Sequence, residues 1–372
     1  MMRSDMHIAI AETEDERRAV YRFRYQVYVE EMGRYRTTAD HEQRLLVEPC
    51  DAHSRIFYAA ENGDVVATAR LTWGGDAPLP QRMIEQYGLA PFLAELPAET
   101  IAVAERGMVA ARLRGSDLFL RLVGATLHFE NDRRIELVFG DCEPHLLNLY
   151  LGLGYRTYSK KNVNSAEAGY LIPIVIVPED VAYLKYLNSP LIEYVRDFGD
   201  EARVPACLER LMAEGTAVMS RRLMASAAYW GEVHGALSEL KGNRISALDG
   251  FTEDDAAHCL EKSTIIECGA GDHVLKRGGV ARNLFVVLDG TLEVRDGETP
   301  VAVLGPGDVF GEMAFLLERP RSRDVYAVTD GVRVLSLSES TLHEMIKSDP
   351  AIAANLLLNI SKMLCLRLLK ER

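Results

Sequence analysis

Three stretches of this chain concentrate residue types that can do chemistry. The first is Leu304 to Ala327, LGPGDVFGEMAFLLERPRSRDVYA. Gly311 lets a backbone approach an anion closely, and the turn that follows, Glu312 to Leu316 with Met313 and Ala314, offers free N–H groups and the positive end of a helix dipole. Arg321, nine residues after Glu312, can return to the same cavity and pair with a phosphate oxygen as a charge-assisted donor, with the Ser322 hydroxyl beside it. Phosphate repels a carboxylate, so the useful role of Glu312 is to accept a hydroxyl. A ligand with one phosphate next to a ribose 2′-OH satisfies both residues. The bland alternative is a domain that keeps this shape and binds nothing.

The second stretch is Ile101 to Leu122, IAVAERGMVAARLRGSDLFLRL. It reads as a strand, a turn with Arg112, Arg114 and Gly115, then a helix opening at Ser116 or Asp117, an arrangement suited to a phosphate on a carried substrate. The third is Asn148 to Tyr155, NLYLGLGY, a helix ending in Gly before a strand. Upstream, Arg22 and Arg24 flank an aromatic stripe of Tyr21, Tyr25 and Tyr28 whose simplest reading is a helix core face. His41 and His53 read as loop or core histidines.

The elements that must position these residues change texture twice. From residue 1 to 178 strand and helix patterns alternate: a helix over Asp15 to Met32, strands at Ile56 to Ala60, Val65 to Trp73 and Ile101 to Ala110, a strand at Ile135 to Gly140, a helix at His145 to Leu153 and a strand at Leu171 to Val177. Asn62-Gly63 between the first two strands is a hairpin signal. Residues 179–245 read as a helical connector, including a helix over Ala217 to Leu240. Residues 246–372 carry short glycine-punctuated strands and end in one long apolar helix over Leu342 to Leu369, the pattern of a small antiparallel barrel or roll closed by helices. The expected class is α+β.

FGE followed by PR resembles the phosphate-binding cassette of cyclic-nucleotide-binding domains, and GAGDHVLKRGGVARNLFVVLDGTLEV resembles that family's first strands. The resemblance covers residues 246–372. It implies an eight-stranded β-roll in which Glu312 holds the ribose 2′-OH and Arg321 the cyclic phosphate, helped by backbone N–H groups near Ala314 and Ser322, with Gly311 and Met313 also at the site. The ligand implied is cAMP, or cGMP. Arg323 and Asp324 make this loop more charged than the family pattern.

Arg112-Leu113-Arg114-Gly115 and Leu149-Tyr150 with Gly154-Tyr155 resemble motifs of the GNAT-type N-acyltransferases. Over residues 15 to 178, FRYQVYVEEMGRY, Cys50-Asp51-Ala52-His53, VVATARLTW with Arg70, and Ala104 to Val109 resemble the N-acyl amino acid synthases and the acyl-homoserine-lactone synthases. That resemblance implies an acyl thioester donor, acyl carrier protein or CoA, with Arg112, Arg114, Gly115 and Ser116 at its phosphate. Asp117 stands where GNAT loops have Gly or Ala, and it suits the single phosphate of a carrier protein better than a pyrophosphate. An amine must lose a proton before it attacks a thioester, so a base is needed, and Glu105 is the candidate. An N–H near Met108 or Val109 would hold the oxyanion. Tyr150 would protonate the departing thiolate. Arg24, Arg70 and Arg106 would hold an acceptor carboxylate, or brace Asp51 and Glu105. A structural ion pair for Glu105 and simple packing for Tyr150 are the competing readings.

Composition bounds what is left. A chain of 372 residues has room for two to three domains, and 42 Lys+Arg against 55 Asp+Glu gives a net charge of −13, which disfavours nucleic acid and anionic membranes. No apolar run approaches the roughly 20 residues of a membrane span. The acidic N-terminus does not read as a secretory signal, so the expected location is cytoplasmic. Six cysteines lack ligand spacing, predicting neither disulfide nor metal. Acyl carrier protein is acidic too, so docking it calls for a local basic patch such as Arg112, Arg114 and Arg121. The connector and the C-terminal helix offer surfaces for a homodimer. The expectation is a cyclic-nucleotide-regulated N-acyltransferase acting on a small amine; a cAMP-regulated lysine acetyltransferase and a non-catalytic sensor are the alternatives.

Overall fold

In a computed structural model of the protein, residues 6–195, 203–220, 226–238, 247–260, 263–280, 282–317 and 319–370 are described. They fall into two compact units. One comprises Met1–Cys142, Leu149–Tyr158 and Pro173–Gly215, the other Glu143–Asn148, Ser159–Ile172 and Thr216–Arg372.

The first unit begins with β1 (Met6–Ile10) and α1 (Glu14–Arg24). Thr13 and Glu16 close a capping box, with acids in the first turn and Arg22 and Arg24 in the last, so charge and macrodipole agree. The helix expected to run to Met32 changes pitch and continues as a π-helix over Tyr25–Glu31. Two faces of this segment are buried: Phe23 and Val27 pack with Met108, while Tyr25 and Val29 pack with Leu46.

The sheet contains β2 (Arg55–Glu61), β3 (Asp64–Trp73), β4 (Ile101–Val109), β5 (Leu137–Cys142), β6 (Arg156–Thr157), β7 (Val163–Ser165) and β8 (Gly169–Ile176). Its order is β1-β2-β3-β4-β5-β8-β6, with β7 paired to β8. The β2–β3 hairpin turns on Asn62 and Gly63, both at positive φ (54° and 91°), as the sequence signal requires. Around the sheet lie α2 (Gln81–Gln86), α3 (Ala90–Leu93), α4 (Leu118–Asp132), α5 (Leu147–Leu153), α6 (Val181–Tyr186) and α7 (Ala206–Ala213). Met83, Tyr87, Phe92, Val103, Phe139 and Val175 form part of one core.

Two irregularities shape the working strand. Thr68 pairs with Met108 and Arg70 with Glu105, so Arg106 and Gly107 together oppose only Ala69. The result is a bulge with Arg106 at φ 59°, a left-handed conformation uncommon outside glycine. On its other side β4 runs parallel to β5 for three pairs, ending at Val103↔Phe139. At Gly140 a Cβ would lie 2.8 Å from the Ala104 carbonyl oxygen; from there the strands part and the end of β4 has no β5 partner.

The second unit is a roll of two sheets rather than a closed barrel. Its strands are β9 (Val218–Ser220), β10 (Thr264–Cys268), β11 (His273–Leu275), β12 (Asn283–Asp289), β13 (Leu292–Asp296), β14 (Thr299–Leu304), β15 (Val309–Phe310), β16 (Asp324–Ala327) and β17 (Val332–Ser338). They order as β15-β12-β17-β10-β9 and β11-β16-β13-β14. Helices α8 (Ser226–Ser238), α9 (Glu253–Cys259), α10 (Glu312–Leu317), α11 (Glu339–Ser348) and α12 (Pro350–Lys370) accompany them. Tyr229, Leu284, Phe315, Leu335, Leu356 and Ile360 share its core.

Two further expectations change. Part of the helix expected over Ala217 to Leu240 is strand, because Val218–Ser220 finds open ladder positions on β10; residues 221–225 and 239–240 of that expectation lie outside the described residues. The single C-terminal helix is two, broken where Asp349 takes a non-helical conformation before Pro350. Of the cysteines, Cys365 is exposed and the other five are buried.

Gly290 turns between β12 and β13 at φ 80°, where a Cβ would lie 2.7 Å from a Val332 methyl. Gly290→Ala is therefore expected to destabilise by about 1–3 kcal/mol. Thermal unfolding measures it, and a midpoint equal to wild type would contradict the strained turn.

Candidate functional site

The first unit buries an alternating set of charges beside the parting strands. Arg24 and Arg70, both fully buried, donate from Nη1 to the same oxygen of Asp51, at 2.7 and 3.0 Å. Arg70 also reaches Glu48 at 3.0 Å and Glu105 at 2.6 Å. Arg106 grips both oxygens of Glu48 through Nε and Nη2 and stacks near the rings of Tyr28 and Tyr35, which holds its left-handed backbone in place. Asp51 also accepts from the Glu48 backbone N–H at 2.7 Å. So Arg24, Asp51, Arg70, Glu105 and Arg106 lie together, with Arg24 and Arg70 on Asp51, Arg70 on Glu105 and Arg106 on Glu48. Among the described residues the Arg24 Nε and Nη2, both buried, have no hydrogen-bond partner.

This arrangement sets the protonation of its acids. Burial works against the Glu48 carboxylate, yet Arg106, Arg70 and Arg24 hold its pKa down to about 2. Burial likewise opposes the Glu105 carboxylate, and Arg70, Arg106 and Arg82 outweigh it, keeping Glu105 below its ordinary value. Glu105 Oε1 also lies 3.1 Å from the Tyr87 hydroxyl, which is 2.8 Å from Asp141 Oδ2 at the end of β5.

Tyr150, on α5, packs edge-on to Phe119 and Tyr155. Its hydroxyl lies 3.8 Å from where a Cβ on Gly107 would stand, so it faces the bulge of β4. Burial and the negative field of Asp141 push the Tyr150 pKa up, which keeps the proton on the oxygen. The turn before α4 places Gly115 at φ 82°, and the Ser116 hydroxyl donates to the Leu113 carbonyl at 2.7 Å. Arg112 and Arg114 are exposed, but Arg112 pairs with Glu61 at 2.6 Å and Arg114 with Glu31, while Arg121 contacts the Met6 sulfur at 3.7 Å. The expected basic patch is thus interleaved with acids.

In the second unit Arg321 is 5% exposed. Its Nη1 donates to the Gly311 carbonyl at 2.6 Å and its Nη2 to the Asn283 carbonyl at 2.8 Å, while Nε is buried with no partner among the described residues. Among the described residues no carboxylate lies within salt-bridge distance of it. Burial draws its pKa down to about 10, against the pull of Glu312 and Glu143. Glu312 opens α10 and accepts from Arg367 of α12 at 3.1 Å. Ala314 is buried and Met313 exposed, with the Ser322 hydroxyl 3.8 Å from its sulfur. The two charges unusual for the loop have structural partners: Arg323 pairs with Asp296 at 3.2 Å, and Asp324 accepts from the Arg277 backbone N–H and contacts His273.

Glu48, Tyr87, Asp141 and Arg367 were absent from the expectation. Glu48 had one readable signal, standing three residues before Asp51 as the partner in a capping box. Arg367 and Glu312 are 55 residues apart, a pairing no local pattern announces.

No helix among the described residues is long and apolar enough to cross a membrane. Among the described residues no group of three or more His, Cys, Asp and Glu could hold a metal ion.

Comparison with known proteins gives two domain assignments. Residues 23–124 match the acetyltransferase (GNAT) domain family, and residues 265–349 match the cyclic nucleotide-binding domain family. Glutaminase 2 of Bradyrhizobium diazoefficiens is 37% identical over 117 residues, 31% of this chain and 18% of that one. The cAMP-dependent protein kinase type II regulatory subunit of Drosophila melanogaster is 31% identical over 80 residues, 20% of this chain and 21% of that one. The chain thus spans about a fifth of the length of these curated relatives. Among solved structures, a CoA-dependent acyl-homoserine lactone synthase with SAM and isopentyl-CoA is 18% identical with a TM-score of 0.38, covering 57% of this chain and 100% of that one. A cyclic nucleotide-binding domain from Methylobacillus flagellatus KT is 18% identical with a TM-score of 0.35, covering 41% and 85%. The chain carries a GNAT acetyltransferase domain followed by a cyclic nucleotide-binding domain.

Because Glu48 is held at about 2, its contribution to stability is full above the ordinary carboxylate range and is lost as pH falls towards that value. Glu48→Gln should flatten the acid side of the stability–pH curve and, by leaving Arg106 and Arg70 short of a buried partner, destabilise at pH 7 by about 3–5 kcal/mol. Urea unfolding at a series of pH values checks both; a parallel, undisplaced curve would contradict them.

Proposed function

We propose that the protein is a cyclic-nucleotide-regulated N-acyltransferase, moving a long-chain acyl group from acyl carrier protein or CoA to the amine of an amino acid or similar small acceptor. One observation carries the catalytic half. The β4 strand parts from β5, bulges at Arg106 and Gly107, and meets the Tyr150 hydroxyl at that bulge. Backbone N–H groups freed from a ladder at a bulge are donors for a developing oxyanion, and a neutral phenol beside them can protonate a leaving thiolate. Asp117 at the head of α4, with Ser116 before it, favours a donor with one phosphate over a pyrophosphate.

The regulatory half rests on Arg321. A buried guanidinium with no carboxylate at salt-bridge distance among the described residues and an unpartnered Nε is a cation waiting for an anion, and Glu312 beside it is an acceptor for a hydroxyl. A cyclic nucleotide, cAMP or cGMP, presents both groups together. Its binding shifts the acyl site only if the two states bind nucleotide differently. This reading places the protein in the cytoplasm, where acyl carrier protein and nucleotide are available.

The test is acyl transfer from acyl carrier protein and CoA thioesters to a panel of amino acids, with and without cAMP or cGMP. Transfer whose rate changes at saturating nucleotide supports the proposal, and Arg321→Ala should weaken nucleotide binding about a hundredfold and abolish the rate change. Rates indifferent to nucleotide remove the regulation. Transfer only from acetyl-CoA to protein lysines replaces the substrate class, and no turnover with any thioester leaves a sensor without catalysis.

A further inference from the structure

Glu105, the expected base, is poorly placed to take a proton. Its Oε2 is tied to Arg70 at 2.6 Å, and its Oε1 lies near both the Tyr87 hydroxyl (3.1 Å) and Arg82 (3.5 Å). A carboxylate held by cations on both oxygens is a weak proton acceptor. A second carboxylate stands directly across the parted strands. Asp141 lies two residues beyond Phe139, the last β5 residue paired to β4.

Its surroundings differ in kind. Asp141 Oδ2 is anchored by two neutral donors, the Tyr87 hydroxyl at 2.8 Å and Gln86 Nε2 at 3.1 Å. Among the described residues its Oδ1 carries no hydrogen bond, and the side chain is half-buried rather than enclosed. Among the described residues no arginine lies within salt-bridge distance of the group. The charged and titratable groups that face it are Glu105, Arg106 and Tyr87, with Tyr150 and Tyr158 feeling its field from α5 and from the chain after it.

We propose that Asp141 is the proton acceptor for the attacking amine, while Glu105 is a fixed structural anion that orients Tyr87; the proposal rests on the acyl-transfer reading above. The ammonium of the acceptor gives one proton to Asp141 Oδ1. The freed lone pair attacks the thioester carbonyl carbon, the C–N bond forms, and the carbonyl electron pair moves to oxygen. As it returns, the C–S bond breaks and the thiolate takes the Tyr150 proton. The extra proton on the new amide nitrogen restores Tyr150, and Asp141 releases its own to solvent. The sum is thioester plus ammonium giving amide, thiol and one proton. Burial, followed by the field of Glu105, raises Asp141 to about 6, a value suited to accepting a proton near neutral pH.

The experiment compares Asp141→Asn, Glu105→Gln and wild type, using the acyl thioesters and amino-acid panel of the preceding test over a pH series. Asp141→Asn should lose about a thousandfold in kcat at pH 7 and regain about tenfold per pH unit as the free amine fraction rises. The acidic limb near pH 6 should vanish with Asp141→Asn and move to lower pH with Glu105→Gln, which removes the field that raises Asp141. Thermal unfolding separates a structural role. The raised folded value means that Asp141 lends stability at low pH and loses it as pH rises through about 6, so Asp141→Asn should unfold at the wild-type temperature or above it at pH 8. Wild-type kcat and an unchanged acidic limb in Asp141→Asn overturn the proposal and leave acyl transfer standing. So does loss of that limb in Glu105→Gln alone. Absence of product from wild type with every thioester instead overturns the acyl-transfer reading, and this proposal with it.

Discussion

The architecture of the first unit hangs on a cluster of charge taken out of water. Three arginines and three carboxylates, Arg24, Arg70 and Arg106 with Glu48, Asp51 and Glu105, come from a helix, a loop and two strands, and none can be exchanged singly for an apolar residue without stranding another. Such a cluster is weak evidence for stability in itself, because desolvation consumes most of the attraction. What it confers is position. Glu48 in the loop and Arg106 on the strand lock each other, and through Arg70 and Asp51 they tie in the end of α1.

That lock explains the unusual backbone of β4. A non-glycine residue at φ 59° costs on the order of 1–3 kcal/mol. Arg106 tolerates it because its guanidinium is held on both oxygens of Glu48 and lies against two tyrosine rings. The bulge re-aims the strand where β5 departs, so a buried ion pair ends by shaping an opening in the sheet. The same cations that secure Glu105 strip it of basicity, and the neutral surroundings of Asp141 do the reverse. Two carboxylates on facing strands are thereby shifted in opposite directions by their neighbours alone.

Much of this was legible in the sequence wherever the signal was local. Arg70 and Glu105 stood out on consecutive strands and are register partners. The Asn-Gly hairpin, the Gly311–Glu312 turn and the returning Arg321 were readable because each depends on residues a few positions apart. What was hidden is non-local or depends on exceptions to regular geometry. Glu48 meets Arg106 across 58 residues. Asp141 looked like the end of a strand because nothing in its neighbours announces that β4 and β5 part there. Val218–Ser220 pairs with a strand more than 40 residues on, which helical propensity could not foresee. The break at Asp349-Pro350 could have been read from the proline itself.

Gly311 and Arg321 bear a relation that neither motif states alone. A Cβ at 311 would stand 2.6 Å from the Arg321 guanidinium and 2.8 Å from the Asn283 carbonyl that the same guanidinium uses. The glycine is therefore demanded by the arginine's seat in the protein, before any ligand arrives. The two positions are coupled in one direction: any side chain at 311 unseats the arginine, whereas loss of the arginine still leaves the Asn283 carbonyl too close for a Cβ at 311. A cradle built this way is brittle. A change at 311 alone costs the arginine its seat, and a chain that retains both residues retains a preformed place for an anion.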